Sequence, residues 1–293
     1  MDSTFIIQVV LGGFLLGGIY GLLSLGMSLN LGLLNSMNLA HGSFLILGAL
    51  TGYHLTTEMG VPPLLNLIVV PLLFGGLGWL LFPIVIAPLS QQGSSSAFVP
   101  FLLITLGLAF ILEEVSASIL IHPLIGLHSG YNPWHWKGLI LSPLTVILLL
   151  VLMGLMLLLA FILYETDLGR SLRAIPQDLE GAMLVGLSLS ATKAKAWCLS
   201  LAAAGLAGVF WVLLYPVTPF MGLKLTVMAV LMVMVVGPGD ISKAIGAGVI
   251  WGILESGGGA VFGTQWGILI PLAVFLTLVS MFPEGFRFRR NSF

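Results

Sequence analysis

STFIIQVVLGGFLLGGIYGLLSLGMSLNLGLLNSMNLAHGSFLILGALTGYHLTT, residues 3–57, contains no Asp, Glu, Lys or Arg. Its one polar interruption, Asn35 to Gly42, divides a long apolar run from a shorter one. Residues 59–112 are again free of formal charge. A hydrocarbon core about 30 Å thick takes roughly 20 apolar residues per crossing helix, so these runs hold several crossings. The whole chain follows the same pattern: of its 293 residues 58% are hydrophobic and 7% charged, where a soluble domain carries about a quarter charged side chains. A soluble globular enzyme is excluded. The sequence predicts an all-α fold, a polytopic transmembrane helical bundle forming a single domain over residues 1–293.

Turn chemistry bounds nine apolar runs, near 5–33, 38–56, 63–87, 97–121, 139–164, 196–215, 222–236, 244–262 and 265–283, within a range of about 8–10 spans. The short runs 38–56 and 222–236 read as spans or half-helices. Seven of the ten basic residues fall in two places, Arg170, Arg173, Lys193 and Lys195 in one loop and Arg287, Arg289 and Arg290 at the carboxyl end. The positive-inside rule puts both in the cytoplasm and the amino terminus outside. The chain then divides into a first half (1–138), a connecting span (139–164), a cytoplasmic loop (165–195) and a second half (196–293). Opposite starting sides for the two halves leave an inverted repeat open, with Asn35–Gly42 and Gly237–Asp240 as corresponding breaks. His122 to Lys137, with Tyr131, Trp134 and Trp136, reads as an external interfacial segment. Gly13, Gly17 and Gly21 share one helix face, as do Ala244, Gly248 and Gly252, and small faces let backbones approach closely.

Three segments could carry chemistry. Asn35, Asn38 and His41 are costly in hydrocarbon and must face protein or a water-filled cavity; they either bond neighbouring carbonyls or, with Ser43 and freed backbone groups, line a solute pathway. Gly237-Pro238-Gly239-Asp240 matches the Gly-x-Gly-Asp pattern of intramembrane aspartyl proteases, but such chemistry needs two carboxylates sharing a proton. The other aspartates, Asp2, Asp167 and Asp178, lie at the terminus or in the basic loop. Gly237, Gly239 and Asp240 therefore read as a helix-breaking turn and a second contributor to the pathway, with a hydrolase built on Asp240 or His41 as the remote alternative. The third segment is the loop: Pro176 suits a first helical position, Gln177, Asp178 and Glu180 its first turn and Gly186 its end. Leu179, Ala182 and Met183 then form an apolar face, fit to lie on lipid or dock on another protein; the acidic first turn favours protein.

None of the five lysines follows a glycine, so no phosphate-binding loop of the Gly-Lys-Ser/Thr kind exists. Cys198 stands alone, His122, His128 and His135 are too widely spaced for one helix face, and no metal site or other cofactor is expected. A net charge of −1 excludes a nucleic-acid surface. Glu113 and Glu114 are functional candidates or mark the outer end of a span.

Gly18-Ile19-Tyr20-Gly21-Leu22-Leu23-Ser24-Leu25-Gly26, followed by Met37-Asn38-Leu39-Ala40-His41-Gly42, resembles the signature of the branched-chain amino-acid permease family of ABC importers. Gly169 to Ala174 and Gln177-Asp178 through Ala182 to Gly186 are similar to the family's cytoplasmic loop, and Leu206-Ala207-Gly208 and Gly237 to Gly248 continue the likeness along nearly the full chain. Ser43, where the family is commonly acidic, Pro238 and Asp240, and the uncharged stretch 88–97 depart from it. The resemblance implies a multi-pass inner-membrane subunit that pairs with a second similar permease, two cytoplasmic ATPases and a periplasmic solute-binding protein. It implies alternating-access import of branched-chain or other neutral amino acids, with urea or short amides as the alternative. Arg170, Arg173, Gln177, Asp178, Leu179, Glu180, Met183 and Gly186 would couple to the ATPases, which hydrolyse the ATP in place of this chain.

Overall fold

The computed structural model describes residues 3–90, 94–119, 124–127, 134–136 and 139–282. The basic carboxyl end with Arg287, Arg289 and Arg290, and His122, His128, Tyr131 and Lys137 of the external segment, lie outside them. Helix α1 (Ser3–Leu29) runs into a π turn (Asn30–Leu34), and after the break come α2 (His41–Thr57), α3 (Asn66–Leu81), a second π turn (Phe82–Ile86), α4 (Ala87–Ser90) and α5 (Ser94–Ile119). A three-residue hairpin, β1 (Trp134–Trp136) and β2 (Leu139–Leu141), pairs Trp134 with Leu141 and precedes α6 (Pro143–Glu165). Then follow α7 (Asp167–Gln177), α8 (Leu179–Leu184), α9 (Leu189–Leu214), a 3-10 turn (Pro219–Met221), α10 (Gly222–Val236), α11 (Ile241–Phe262) and α12 (Thr264–Met281). Among the described residues eight helices are long and apolar enough to cross a membrane; α2, at 17 residues, is the ninth run predicted from sequence.

Two predicted boundaries move. Helix α9 starts at Leu189, so Lys193 and Lys195 belong to its first turns and the loop read as 165–195 is shorter. Leu139–Leu141 is strand, and the connecting helix starts at Pro143, where a proline at the first position fits the helix without loss of a bond.

Packing rests on backbone approach. A methyl at Gly17 would stand 2.7 Å from Val249 Cα and O, one at Gly13 2.9 Å from Ile253 Cα, and one at Gly21 3.2 Å from Ile245 O. Rising numbers in α1 meet falling numbers in α11, so the two helices run antiparallel along a seam of small residues. Ser24 Oγ donates to Ala244 O at 2.6 Å and Ser256 Oγ to Val9 O at 2.8 Å, fixing both ends of the seam. In lipid, where neighbouring tails are as apolar as leucine, close van der Waals contact and such bonds take over from the hydrophobic drive. Helix α9 runs antiparallel to α3 in the same way, with Gly78 against Cys198 Cα at 2.9 Å and Gly205 against Phe74 Cγ at 2.7 Å. α2 packs on α9 and α10 on α1. The pairs α1–α11 and α9–α3, and α2–α9 and α10–α1, are reciprocal, as an inverted repeat of α1–α3 and α9–α11 requires.

Large apolar side chains on the outside of α5 (Leu103, Phe110, Ile111) and α6 (Leu150, Leu157, Phe161) are exposed, the lipid-facing half of the pattern.

Candidate functional site

At the end of α1, Asn35 takes a left-handed conformation (φ 53°), which asparagine tolerates better than most residues. The chain turns back and α2 starts at His41. Four N–H groups at the entry to this helix find partners within the fold. Leu39 N donates to Thr105 Oγ1 (3.2 Å), Ala40 N to Asn38 Oδ1 (3.1 Å), His41 N to the Asn38 carbonyl (3.2 Å) and Gly42 N to Thr226 Oγ1 (2.8 Å). Thus α5 and α10 each contribute one threonine to hold the break. The His41 ring sits on Gly26, whose added methyl would lie 2.5 Å from Cε1, and its Nε2 lies 2.9 Å from Leu23 O, the donor tautomer being the one that bonds a carbonyl. Asn38, His41 and Ser43 are buried, and Asn38 Nδ2, His41 Nδ1 and Ser43 Oγ have no hydrogen-bond partner among the described residues. Leu23 is eleven residues from Leu34, about 16 Å along the helix and close to half a hydrocarbon core.

The segment that meets this break differs from the one predicted. Gly42 and Gly222 touch at the starts of α2 and α10, and Thr226 Oγ1 stands 3.1 Å from both Leu39 O and Gly222 O. The counterpart is therefore the break at 215–221, marked by Pro216 and Pro219. Glu113 serves the same end: its Oε1 accepts from Leu223 N at 3.1 Å, placing a carboxylate on the positive end of α10. Gly237 and Gly239, with φ of 92° and 86°, form the turn between α10 and α11. Gly239 packs against Gly32, in the π turn, and a methyl on it would stand 2.8 Å from Pro176 Cβ. Asp240 caps α11 by accepting from Lys243 N (3.2 Å) and pairs with Lys243 Nζ (2.6 Å). The structure thus brings Asn38, His41 and Ser43 together and sets Gly237, Gly239 and Asp240 at the far end of α1.

The loop between α6 and α9 is two helices where one was predicted over 176–186. Pro176 falls in the last turn of α7, and Asp178, extended at φ −153°, separates α7 from α8 and caps the latter through Gly181 N at 3.0 Å. Asp178, with a side chain that accepts from the N–H three residues on, outcompetes Pro176 as the starting signal. Gly186 ends α8 as expected: its φ is 86°, its N–H reaches Met183 O (3.0 Å), and Leu187 N reaches Ala182 O (3.1 Å). α7 folds back on α6, burying Leu172 and Ile175. Arg170 pairs with Asp167 at 3.2 Å, Gln177 at the end of α7 and Glu180 are exposed, and the Arg173 guanidinium lies 4.6 Å from the Tyr164 ring centre. Ala182 faces inward, while Leu179, Met183, Leu184 and Val185 are exposed, Leu184 at 87%.

Residues 9–279 match the family model described as the branched-chain amino acid transport system / permease component. The chain belongs to that family. It is 29% identical over 262 residues to the probable branched-chain amino acid transport permease protein LivH of Methanocaldococcus jannaschii, covering 85% of this chain and 80% of the relative. With the high-affinity permease proteins LivH of Escherichia coli strain K12 and BraD of Pseudomonas aeruginosa it shares 24% and 22% identity, over 96% and 95% of this chain and 95% and 94% of theirs. No solved structure matches.

Sequence reasoning about the permease missed Thr105 and Thr226, ordinary residues in apolar runs whose bonds cross 66 and 184 positions. It also passed over Lys224 and Glu255, although isolated charges inside predicted spans are a signal in themselves. Among the described residues no group of three His, Cys, Asp or Glu side chains could hold a metal ion.

Proposed function

We propose that this permease is the membrane-spanning subunit of an ATP-driven importer of the inner membrane, carrying branched-chain or other neutral amino acids by alternating access. The names of its relatives favour amino acids over urea or short amides. Its partners are a second, similar permease, two cytoplasmic ATPases and a periplasmic solute-binding protein; its amino terminus is periplasmic and its loop and carboxyl terminus cytoplasmic. The observation that carries the reading is the contact of Pro176, Gly239 and Gly32. It joins the loop to the π turn that follows α1, three residues before Asn35, so a push on the loop reaches the break. The exposed apolar end of α8, with Leu179, Met183, Leu184 and Val185 around the capping Asp178, is the surface for an ATPase groove. Arg170, Arg173, Gln177, Glu180 and Gly186 shape that loop. Asn38, His41 and Ser43 are the pathway element, since their orphaned polar atoms need water or solute as partner once the site opens. Gly237, Gly239 and Asp240 serve the pathway as its cytoplasmic turn. With Asp240 engaged in a cap and an ion pair, transport is favoured over hydrolysis.

The test replaces Asn38 and His41 one at a time by cysteine in a Cys198→Ser background. Labelling by a membrane-permeant thiol reagent in one transport state and protection in the other is expected. Absence of labelling in both states, with the assembled complex intact, removes these residues from the pathway. Uptake that persists without any ATPase subunit refutes the importer.

A further inference from the structure

Lys224 is in the first turn of α10, and Val236 closes that helix at the cytoplasmic end. Twelve residues at 1.5 Å place the Lys224 backbone about 18 Å from that end. Glu255 is fourteen residues from Ile241 along α11, about 21 Å from the same end. In a core about 30 Å thick both lie a few ångströms past the middle, and a lysine stem cannot carry its ammonium to the far interface. Lys224 is nevertheless exposed on this chain, and Glu255 is half-buried. A lysine turned to lipid at this depth is strongly disfavoured, so intramembrane charges face the bundle or a water-filled cavity. Lys224 therefore marks the face of α10 that borders water or the second permease.

Around it the structure assembles complementary groups. Glu255 Oε2 accepts from Trp251 Nε1 at 3.1 Å, and α11 packs against α10, so Glu255 and Lys224 stand on neighbouring helices at nearly the same depth. Tyr20 stands edge-on to Trp211 and Trp251, at 5.9 and 6.3 Å between ring centres, and Trp211 is 5.8 Å from Tyr215. No direct ion pair joins Lys224 to Glu255. A cation and an anion held near each other in a poor dielectric, yet not closed upon each other, fit a ligand that carries both charges a few ångströms apart. An α-amino acid does this: its carboxylate meets the ammonium, its own ammonium meets the carboxylate, and no net charge is added. Urea and amides offer neither charge.

We propose that Lys224 and Glu255, with Tyr215 beside them, form a subsite for the zwitterionic head of an amino acid in the periplasmic half of the pathway, above the break at Asn38. The assignment rests on the importer reading, to which it adds the residues that hold the head of the solute. The complete importer, with its partner subunits, is expressed in cells that lack their own leucine uptake, and radiolabelled leucine is supplied. Lys224→Gln and Glu255→Gln should each lower uptake about ten-fold or more, while the chain is recovered in the membrane with its partners. The conservative Lys224→Arg and Glu255→Asp variants should insert normally and raise KM for leucine. Leucine, and not urea, should protect the Lys224→Cys thiol from an impermeant reagent in the Cys198→Ser background. Wild-type KM in the conservative variants, or labelling that leucine leaves unchanged, overturns the subsite. Failure of the wild-type importer to accumulate leucine instead overturns the reading beneath it.

Discussion

Gly17→Ala places one methyl in the α1–α11 seam. The new carbon would stand 2.7 Å from both Val249 Cα and O and must withdraw to an ordinary 3.4 Å or more, about 0.7 Å, against main-chain atoms. A side chain could rotate away; two helix backbones can only separate, and the bonds Ser24–Ala244 and Ser256–Val9 pin the seam on either side. Overpacking of this kind costs about 1–3 kcal/mol. Gly246→Ala is the control, because a methyl at Gly246, on the same α11, meets nothing within 4 Å and gains helix propensity of about 0.8–1 kcal/mol in aqueous peptides. Thermal denaturation of the detergent-purified chain, followed by size-exclusion recovery after heating, should show Gly17→Ala losing several degrees and Gly246→Ala losing none. Equal midpoints for the two would refute the claim that backbone contact holds the halves together.

Thr226→Val keeps the shape but strands the Gly42 N–H, a bond of 2.8 Å; a loss of about 1–3 kcal/mol is expected, seen as a lower midpoint that Thr226→Ser restores. Leu184→Asp, at a side chain 87% exposed, should leave the midpoint unchanged and abolish copurification of the ATPase subunits. Gly239→Ala forces a side chain onto a backbone at φ 86° and presses on Pro176; in reconstituted complex, basal ATP hydrolysis should persist while its stimulation by loaded binding protein falls.

Bundle class and most helix positions were legible because lipid leaves few alternatives: charge-free runs of crossing length must be helices. The break at Asn35–Gly42 was legible for the same reason, since asparagine and histidine there need partners. Its partners were not, because Thr105 and Thr226 carry no pattern; any threonine in an apolar run looks alike until the chain folds. Pro176 misled because proline suits a helix start, whereas it stands in the last turn of α7 and Asp178 supplies the cap from which α8 starts. Gly237–Asp240 drew attention by its glycines, while Pro216 and Pro219, which mark the true counterpart of the first break, read only as a loop. Small-residue patterns at 13, 17, 21 and 244, 248, 252 showed that two faces were small; that each chose the other depends on the antiparallel path of α11.

The π turn at Asn30–Leu34 stores a surplus of chain just before the Asn35 reversal. Each residue of an α-helix accounts for about 100° of rotation and 1.5 Å of advance, so taking up one residue of that surplus would swing everything beyond it by about that angle while the seam below stays still. Gly32, the residue on which Gly239 and the Pro176 end of the loop rest, lies inside this turn. A change at Gly32 would then be one of register, and a register, unlike a bend, has discrete settings.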